Sequence, residues 1–222
     1  MSEDKETVAP KAVVLLPGVS SSYGNGWRQL WKYFLELLLI SIIAFVISLP
    51  AASGRFDGDF GILGILAIAY GILIVGPIEY GRAFAYLKAA RGDTLKIKDV
   101  FGAFQNYWNA VLANLLVGVI VVTGFVLLIV PGIIFACKLV FTPYLVVDRK
   151  MEVIEAVKES WRMTGGHAWK VFWIFLLAIP IGIAGLICFG VGIIVAIMWV
   201  RLAVASLYHA VSLLRESSAP AE

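Results

Sequence analysis

Six apolar runs separated by short polar segments limit this chain to very few folds. They cover residues 33–49, 62–77 with a continuation, 111–130, 133–147, 171–187 and 191–210. A bilayer-spanning helix needs about 20 apolar residues, and most of these runs approach that length. Apolar residues make up 61% of the 222 residues and charged residues only 15%, against roughly 45–50% and about 25% in soluble domains. The sequence therefore predicts an all-α polytopic membrane protein with six transmembrane helices.

Prolines and glycines are expected to shape the ends of these runs. Pro50 is predicted to end the first helix. Small residues recur at every fourth position from 81 to 89, which favours a second helix that continues past Pro77 with a kink. Only Pro131 and Gly132 separate the third and fourth runs, so a tight antiparallel hairpin is predicted there.

An amphipathic segment precedes each odd-numbered run. Trp27, Leu30 and Trp31 share one helical face in the first segment, and residues 96–108 and 151–161 show the same pattern. The second segment also aligns with the third without a gap, so we predict three hairpins, each preceded by an interfacial amphipathic helix and related by an axis along the membrane normal. Two explanations fit this pattern equally well. The three hairpins descend from one duplicated unit, or they look alike because any membrane hairpin preceded by an interfacial helix has this pattern.

Aromatic and basic side chains in these segments are candidates for contact with lipid head groups. Amphipathic rings prefer the membrane interface, and lysines attract anionic lipids. The predicted collar, as we call this set, comprises Trp27, Trp31, Lys96, Lys98, Phe104, Trp108, Lys158, Trp161 and Lys170.

The basic residues indicate an orientation in the membrane. Of the 18 Lys and Arg residues, fifteen lie on the side of the termini in the six-span topology, two lie within spans, and only Arg55 lies on the opposite side. Cytoplasmic loops carry the excess of Lys and Arg, so both termini are predicted to be cytoplasmic. Residues 1–24 are expected to be a disordered cytoplasmic tail, 25–212 the membrane domain and 213–222 a second cytoplasmic tail. The acidic first ten residues do not suggest a cleaved signal peptide.

Two cations fall inside the predicted spans. Arg201 lies near the middle of the sixth run, and Lys138 lies in the fourth run, roughly 9 Å from the hairpin turn. A cation in hydrocarbon costs on the order of 2.5–3.5 kcal/mol on insertion scales, so each requires a partner, a cavity or the bundle interior. The possible acidic partners are Glu79, with Arg82 one turn further along, and Glu36 at the inner end of the first run, and Glu79 is the expected partner of one of the two cations.

These charges allow two interpretations. In the first, a polar centre leaves one cation free to bind an anionic group; in the second, the charges form a structural ion pair and Lys138 reaches the interface through its flexible stem. A polar stripe also follows Arg201 towards the predicted cytoplasmic surface. The candidates for a ligand site or an ion pair are Glu79, Arg82, Lys138, Arg201, Tyr208 and His209.

No residue pattern indicates catalysis. His167 and His209 are the only histidines, and neither has a carboxylate or cysteine at metal-ligand or triad spacing. Cys137 and Cys188 lie in apolar runs and form no disulfide framework. The net charge of +3 is scattered, which gives no reason to expect nucleic acid. We therefore expect no catalytic residue, metal or cofactor.

Two segments resemble the signatures of a known family. Residues 76–104, GPIEYGRAFAYLKAARGDTLKIKDVFGAF, and residues 141–167, FTPYLVVDRKMEVIEAVKESWRMTGGH, are similar to motifs of a bacterial family of uncharacterised six-span membrane proteins. That family is similar in turn to the membrane domain of glycerophosphoryl diester phosphodiesterases. The resemblance implies a six-helix fold in the bacterial cytoplasmic membrane. It implies no activity, and these residues contain no phosphodiesterase catalytic domain.

Two functional hypotheses follow. The first is a non-enzymatic membrane protein whose collar engages anionic lipid head groups or a protein partner, which includes a second copy of the chain. The second is a small transporter or exporter with a polar site at Arg201, Lys138 and Glu79. The sequence names no substrate.

Overall fold

The computed structural model describes residues 16–53, 62–187 and 191–218, and all regular structure in those ranges is helical. The helices are α1 (Val19–Lys32), α2 (Phe34–Ser53), α3 (Ile62–Tyr70), α4 (Gly76–Arg91), α5 (Tyr107–Leu127), α6 (Ile129–Leu139), α7 (Thr142–Asp148), α8 (Val153–Met163), α9 (Ala168–Ile187) and α10 (Val191–Ser218). A π-helical turn, Gly71–Val75, joins α3 to α4, and a 3₁₀ helix, Ile97–Asn106, precedes α5. Arg55 and the predicted tail residues 1–15 and 219–222 lie outside the described residues.

Within the described ranges, six helical stretches are long and apolar enough to cross a membrane. They are Phe34–Ala51, Gly64–Arg91, Ile97–Leu127, Ile129–Asp148, Ala168–Ile187 and Gly192–Ser217. The predicted all-α fold with six membrane-length helices is therefore confirmed. The grouping into three hairpins and the interfacial position of the amphipathic segments stay predictions.

Prolines end fewer helices than predicted. Pro50 lies inside α2, which continues to Ser53, because a proline one turn from a helix end removes a single backbone hydrogen bond. The turn between α5 and α6 lies at Leu128, whose backbone is extended (φ −163°, ψ 148°), and not at Pro131. Pro131 lies in the first turn of α6 instead. Backbone N–H groups in the first turn of a helix have no acceptor within that helix, so the N–H that proline lacks costs no hydrogen bond there.

Both predicted tails are partly helical. Helix α1 begins at Val19, and α10 continues to Ser218. Packing explains the early start of α1, because Tyr23, inside the predicted tail, is buried and its hydroxyl donates a hydrogen bond to the Ile174 carbonyl (2.8 Å). At the other end, the last turns of α10 are held by ion pairs, including Arg149–Glu216 at 2.9 Å.

Helix α10 is the centre of the bundle. In its spanning stretch 56% of the residues are buried, against 17% in the spans of α2 and α9. Helices α1, α4 and α9 pack directly against it. Any side chain on the buried faces of α10 and α4 is therefore enclosed by other helices and not by lipid.

Candidate functional site

A partly open cavity of about 650 Å³ lies between α4, α5, α6, α7, α9 and α10. Its polar and charged wall residues are Glu79, Tyr80, Asn114, Tyr144 and Arg201, and the remaining wall is apolar. Pockets that hold drug-sized molecules typically measure about 300–1,000 Å³, with a few polar groups in an apolar lining. The size and lining of this cavity match that class of site.

Three charged side chains meet beside the cavity, and two of them, Glu79 and Arg201, line it. Glu79 Oε2 accepts a hydrogen bond from Arg201 at 3.2 Å, and the same carboxylate is paired with Arg82 one turn along α4. The side chains of Glu79 and Arg201 are each 36% exposed, whereas that of Arg82 is 12% exposed. Guanidinium groups do not lose their charge in proteins. We refer to these residues as the charged triad; two cations against one carboxylate leave it with one surplus positive charge.

The triad lies deep within the bundle. Arg201 follows the start of α10 at Val191 by ten residues, which corresponds to roughly 15 Å along the helix. Half the thickness of a bilayer core is also about 15 Å. Val121, Gly182 and Ile197 line the cavity between the triad and the end of the bundle where α5 meets α6. We call this the turn end; the cavity extends from the triad towards it along apolar walls.

Buried aromatic rings close the opposite end of the cavity. Tyr144 forms part of the cavity wall and stacks on Tyr208, with ring centroids 5.0 Å apart. Phe141 packs edge-on against Tyr208 at 5.4 Å, and Tyr86 is buried close by on α4. Each of these four rings, the aromatic layer, is at most 5% exposed.

A salt bridge lies beyond the aromatic layer. Arg91 at the end of α4 donates two hydrogen bonds to the Asp148 carboxylate at the end of α7, both of 2.7 Å. Tyr208 Oη lies 3.5 Å from the same carboxylate, which is too long for a strong hydrogen bond. This bidentate pair, the clasp, joins the two helices that flank the aromatic layer.

Lys138 does not belong to the charged triad. Its ammonium lies over the Trp161 ring, 4.9 Å from the centroid, as a cation–π pair between α6 and α8. The Lys138 carbonyl also accepts hydrogen bonds from Ser160 (2.9 Å) and Thr164 (3.1 Å) of the same neighbouring segment. The sequence offered Arg201 and Lys138 as partners of Glu79, and the structure pairs Glu79 with Arg201.

The polar stripe predicted along α10 is packed and not open. Tyr208 and Ser212 are 0% and 3% exposed, and His209 beside them is half-buried.

Burial lowers the pKa of the other histidine, His167, which directly precedes α9, and the nearby Lys170 ammonium lowers that pKa further. Within residues 16–53, 62–187 and 191–218, no group of three or more His, Cys, Asp or Glu side chains could hold a metal ion.

Most residues of the collar are exposed. They include all five predicted aromatic residues and three of the lysines: Trp27, Trp31, Phe104, Trp108, Trp161, Lys96, Lys98 and Lys158. Lys170 differs, because it is half-buried and its ammonium donates a hydrogen bond to the Pro17 carbonyl at 2.7 Å. It therefore secures the chain just before α1.

The sequence reasoning missed three parts of the site. Arg91 and Asp148 are 57 residues apart, so nothing in the sequence connects them. Asn114 is one of very few polar residues within the third apolar run, a signal that could have identified it. The Tyr80 hydroxyl is buried with no hydrogen-bond partner among the described residues, which only coordinates can reveal.

Comparison of the chain with protein-family models, curated proteins and solved structures found no match. The resemblance noted from residues 76–104 and 141–167 therefore stays a hypothesis.

Proposed function

We propose that this protein is a non-enzymatic integral membrane protein that binds an anionic group inside its helical bundle. The observation that carries the proposal is the surplus positive charge of the triad beside a cavity of about 650 Å³. A charge held within a membrane without a counter-charge is costly, so an anion in the cavity would stabilise the bundle.

The geometry favours this function over a purely structural ion pair. A structural pair needs one cation for one anion, and Arg82 already supplies the cation for Glu79. Arg201 adds a second guanidinium group with five N–H donors, and it stays 36% exposed beside the cavity. An oxyanion could bind the donors of Arg201 that do not face Glu79.

Ligand-induced stabilisation of the protein, purified in an uncharged detergent, tests the proposal. Hexadecyl phosphate should raise the apparent Tm, because a ligand stabilises the state that binds it by about 2.7 kcal/mol at 100 times its Kd. Arg201→Gln should weaken binding roughly 10- to 150-fold, the value of a hydrogen bond to a charged group.

Arg28→Gln is the matched control, since Arg28 is exposed on α1 and far along the chain from the triad. It should respond to the ligand as the wild type does. Equal shifts in all three proteins would contradict the proposal and indicate non-specific charge attraction.

The collar supports a second function, the binding of anionic head groups at the membrane surface. Its exposed lysines lie beside exposed rings, as in Lys96 and Lys98 with Phe104. Each surface lysine contributes about 1 kcal/mol of attraction to an anionic leaflet. Replacement of Lys96, Lys98 and Lys158 by glutamine should reduce the anionic lipid that co-purifies, measured by lipid mass spectrometry. Unchanged lipid content would exclude this role.

A further inference from the structure

We infer that the ligand of the cavity is a single-chain amphipathic anion, whose carboxylate or phosphate binds at Arg201 and whose apolar chain points to the turn end. This inference rests on the proposed function, since it names the class of ligand for the same cavity.

The polar end of the cavity is suited to an oxyanion head group. Among the described residues the Arg201 side chain donates only to Glu79, which leaves N–H donors for a ligand, and Asn114 lines the same cavity from α5. Asn114 packs closely against α4, because a Cβ added to Gly76 would lie only 2.7 Å from Asn114 Nδ2. The amide is therefore held in place by the neighbouring helix.

The other end of the cavity is suited to hydrocarbon. Val121, Ala178, Gly182, Ala196 and Ile197 form its walls and offer no polar side-chain atom. Water is stable in a cavity only where it finds polar partners, so this region favours an apolar occupant. A small hydrophilic anion such as inorganic phosphate would leave it unfilled.

The direction and size of the chain follow from the shape of the cavity. The aromatic layer lies beyond Tyr144, so the apolar wall that a chain attached to a head group at Arg201 can follow runs towards the turn end. A volume of about 650 Å³ lies within the range of sites for one small ligand. We therefore assign one chain and not the two chains of a phospholipid.

Two glycines provide a matched pair of variants. A Cβ added to Gly182 meets no atom within 4 Å, so the side chain of Gly182→Leu would project into the apolar part of the cavity. Gly118 on α5 also has no atom within 4 Å of an added Cβ, but it does not line the cavity. Gly118→Leu therefore adds the same side chain to a spanning helix without obstructing the site.

The experiment is a titration followed by native mass spectrometry. Wild type, Gly182→Leu, Gly118→Leu and Arg201→Gln are purified in uncharged detergent, and monodisperse elution on size exclusion verifies their folding. Each is titrated with hexadecyl phosphate, and wild type is also titrated with palmitate, a two-chain phosphatidic acid and inorganic phosphate.

We expect one hexadecyl phosphate or palmitate per wild-type protein. Gly182→Leu should weaken binding by about tenfold or more, because each methylene denied burial is worth about fourfold. Gly118→Leu should bind as the wild type does. If Gly182→Leu does not fold, Ala178→Leu at the same wall replaces it.

Two results would overturn the inference but leave the proposed function in place. One is inorganic phosphate competing as well as hexadecyl phosphate, with Arg201→Gln defective and Gly182→Leu normal. The other is a preference for phosphatidic acid over the single-chain probes. If no anion binds and Arg201→Gln equals the wild type, both the inference and the proposed function fail.

Discussion

Among single residues, Glu79 holds the triad together, because its carboxylate contacts the guanidinium groups of both Arg82 and Arg201. Arg82 is nearly buried behind it, and Arg201 faces the cavity. This arrangement keeps Arg201 oriented towards the cavity while its charge is only partly compensated. If the only role of this position were to stabilise the bundle, an apolar residue in place of Glu79 and its partners would give a more stable protein.

The membership of the triad was only partly predictable. The cost of charge in hydrocarbon indicated that Glu79 needed a cationic partner, but it did not distinguish Arg201 from Lys138. The choice depends on Trp161, which lies 23 residues from Lys138 in the sequence and provides the ring that the lysine covers. Contacts of this kind depend on how α6 and α8 pack, and one helix pattern does not determine that.

The clasp allows a test at the same scale. Asp148→Asn should destabilise the protein by about 1–3 kcal/mol, because it leaves the Arg91 guanidinium largely buried without its carboxylate. Arg91→Gln should have a similar cost. Thermal unfolding of both single variants and the double variant would measure the coupling, and the double variant should lose less than the sum. Strictly additive losses would show that the bidentate pair contributes little.

At the level of helices, α4 and the 3₁₀ helix approach each other more closely than a side chain allows. A Cβ added to Gly81 would lie 1.6 Å from the Val100 carbonyl oxygen. Glycine is therefore required where these two backbones meet, and this contact brings the buried apolar face of the 3₁₀ helix, Val100 and Ala103, against α4 directly after Glu79.

Gly81→Ala should lower stability by about 1–3 kcal/mol or more, the cost of overpacking a tight contact. Gly118→Ala should be neutral or stabilising, since alanine favours a helix by about 0.5–1 kcal/mol over glycine. The apparent Tm of each variant measures this difference. A Gly81→Ala protein as stable as Gly118→Ala would show that the helices do not meet at Gly81.

Helix boundaries show where sequence rules were insufficient. The lengths of the apolar runs predicted the number of membrane-length helices, because lipid requires both apolar side chains and satisfied backbone groups. The ends were less predictable, since α2 passes Pro50 and α6 includes Pro131. A proline near a helix end removes at most one hydrogen bond, so it marks a boundary only weakly.

For the molecule as a whole, the charges and the cavity form a site with one closed end. The aromatic layer and the clasp separate the cavity from the end of the bundle that carries the last turns of α10. Sequence could not predict this cavity, because it arises between six helices whose small residues face one another. The transporter hypothesis would use the same cavity without Lys138, and it would require the clasp to open during transport.

Native mass spectrometry of the protein purified in gentle, uncharged detergent, with identification of whatever remains bound, tests whether the charged triad binds an anion. We expect one single-chain anion per wild-type molecule, retained in Arg28→Gln and lost in Arg201→Gln. A wild-type protein that carries no anion, or the same anion in equal amount on Arg201→Gln, would contradict binding at the charged triad.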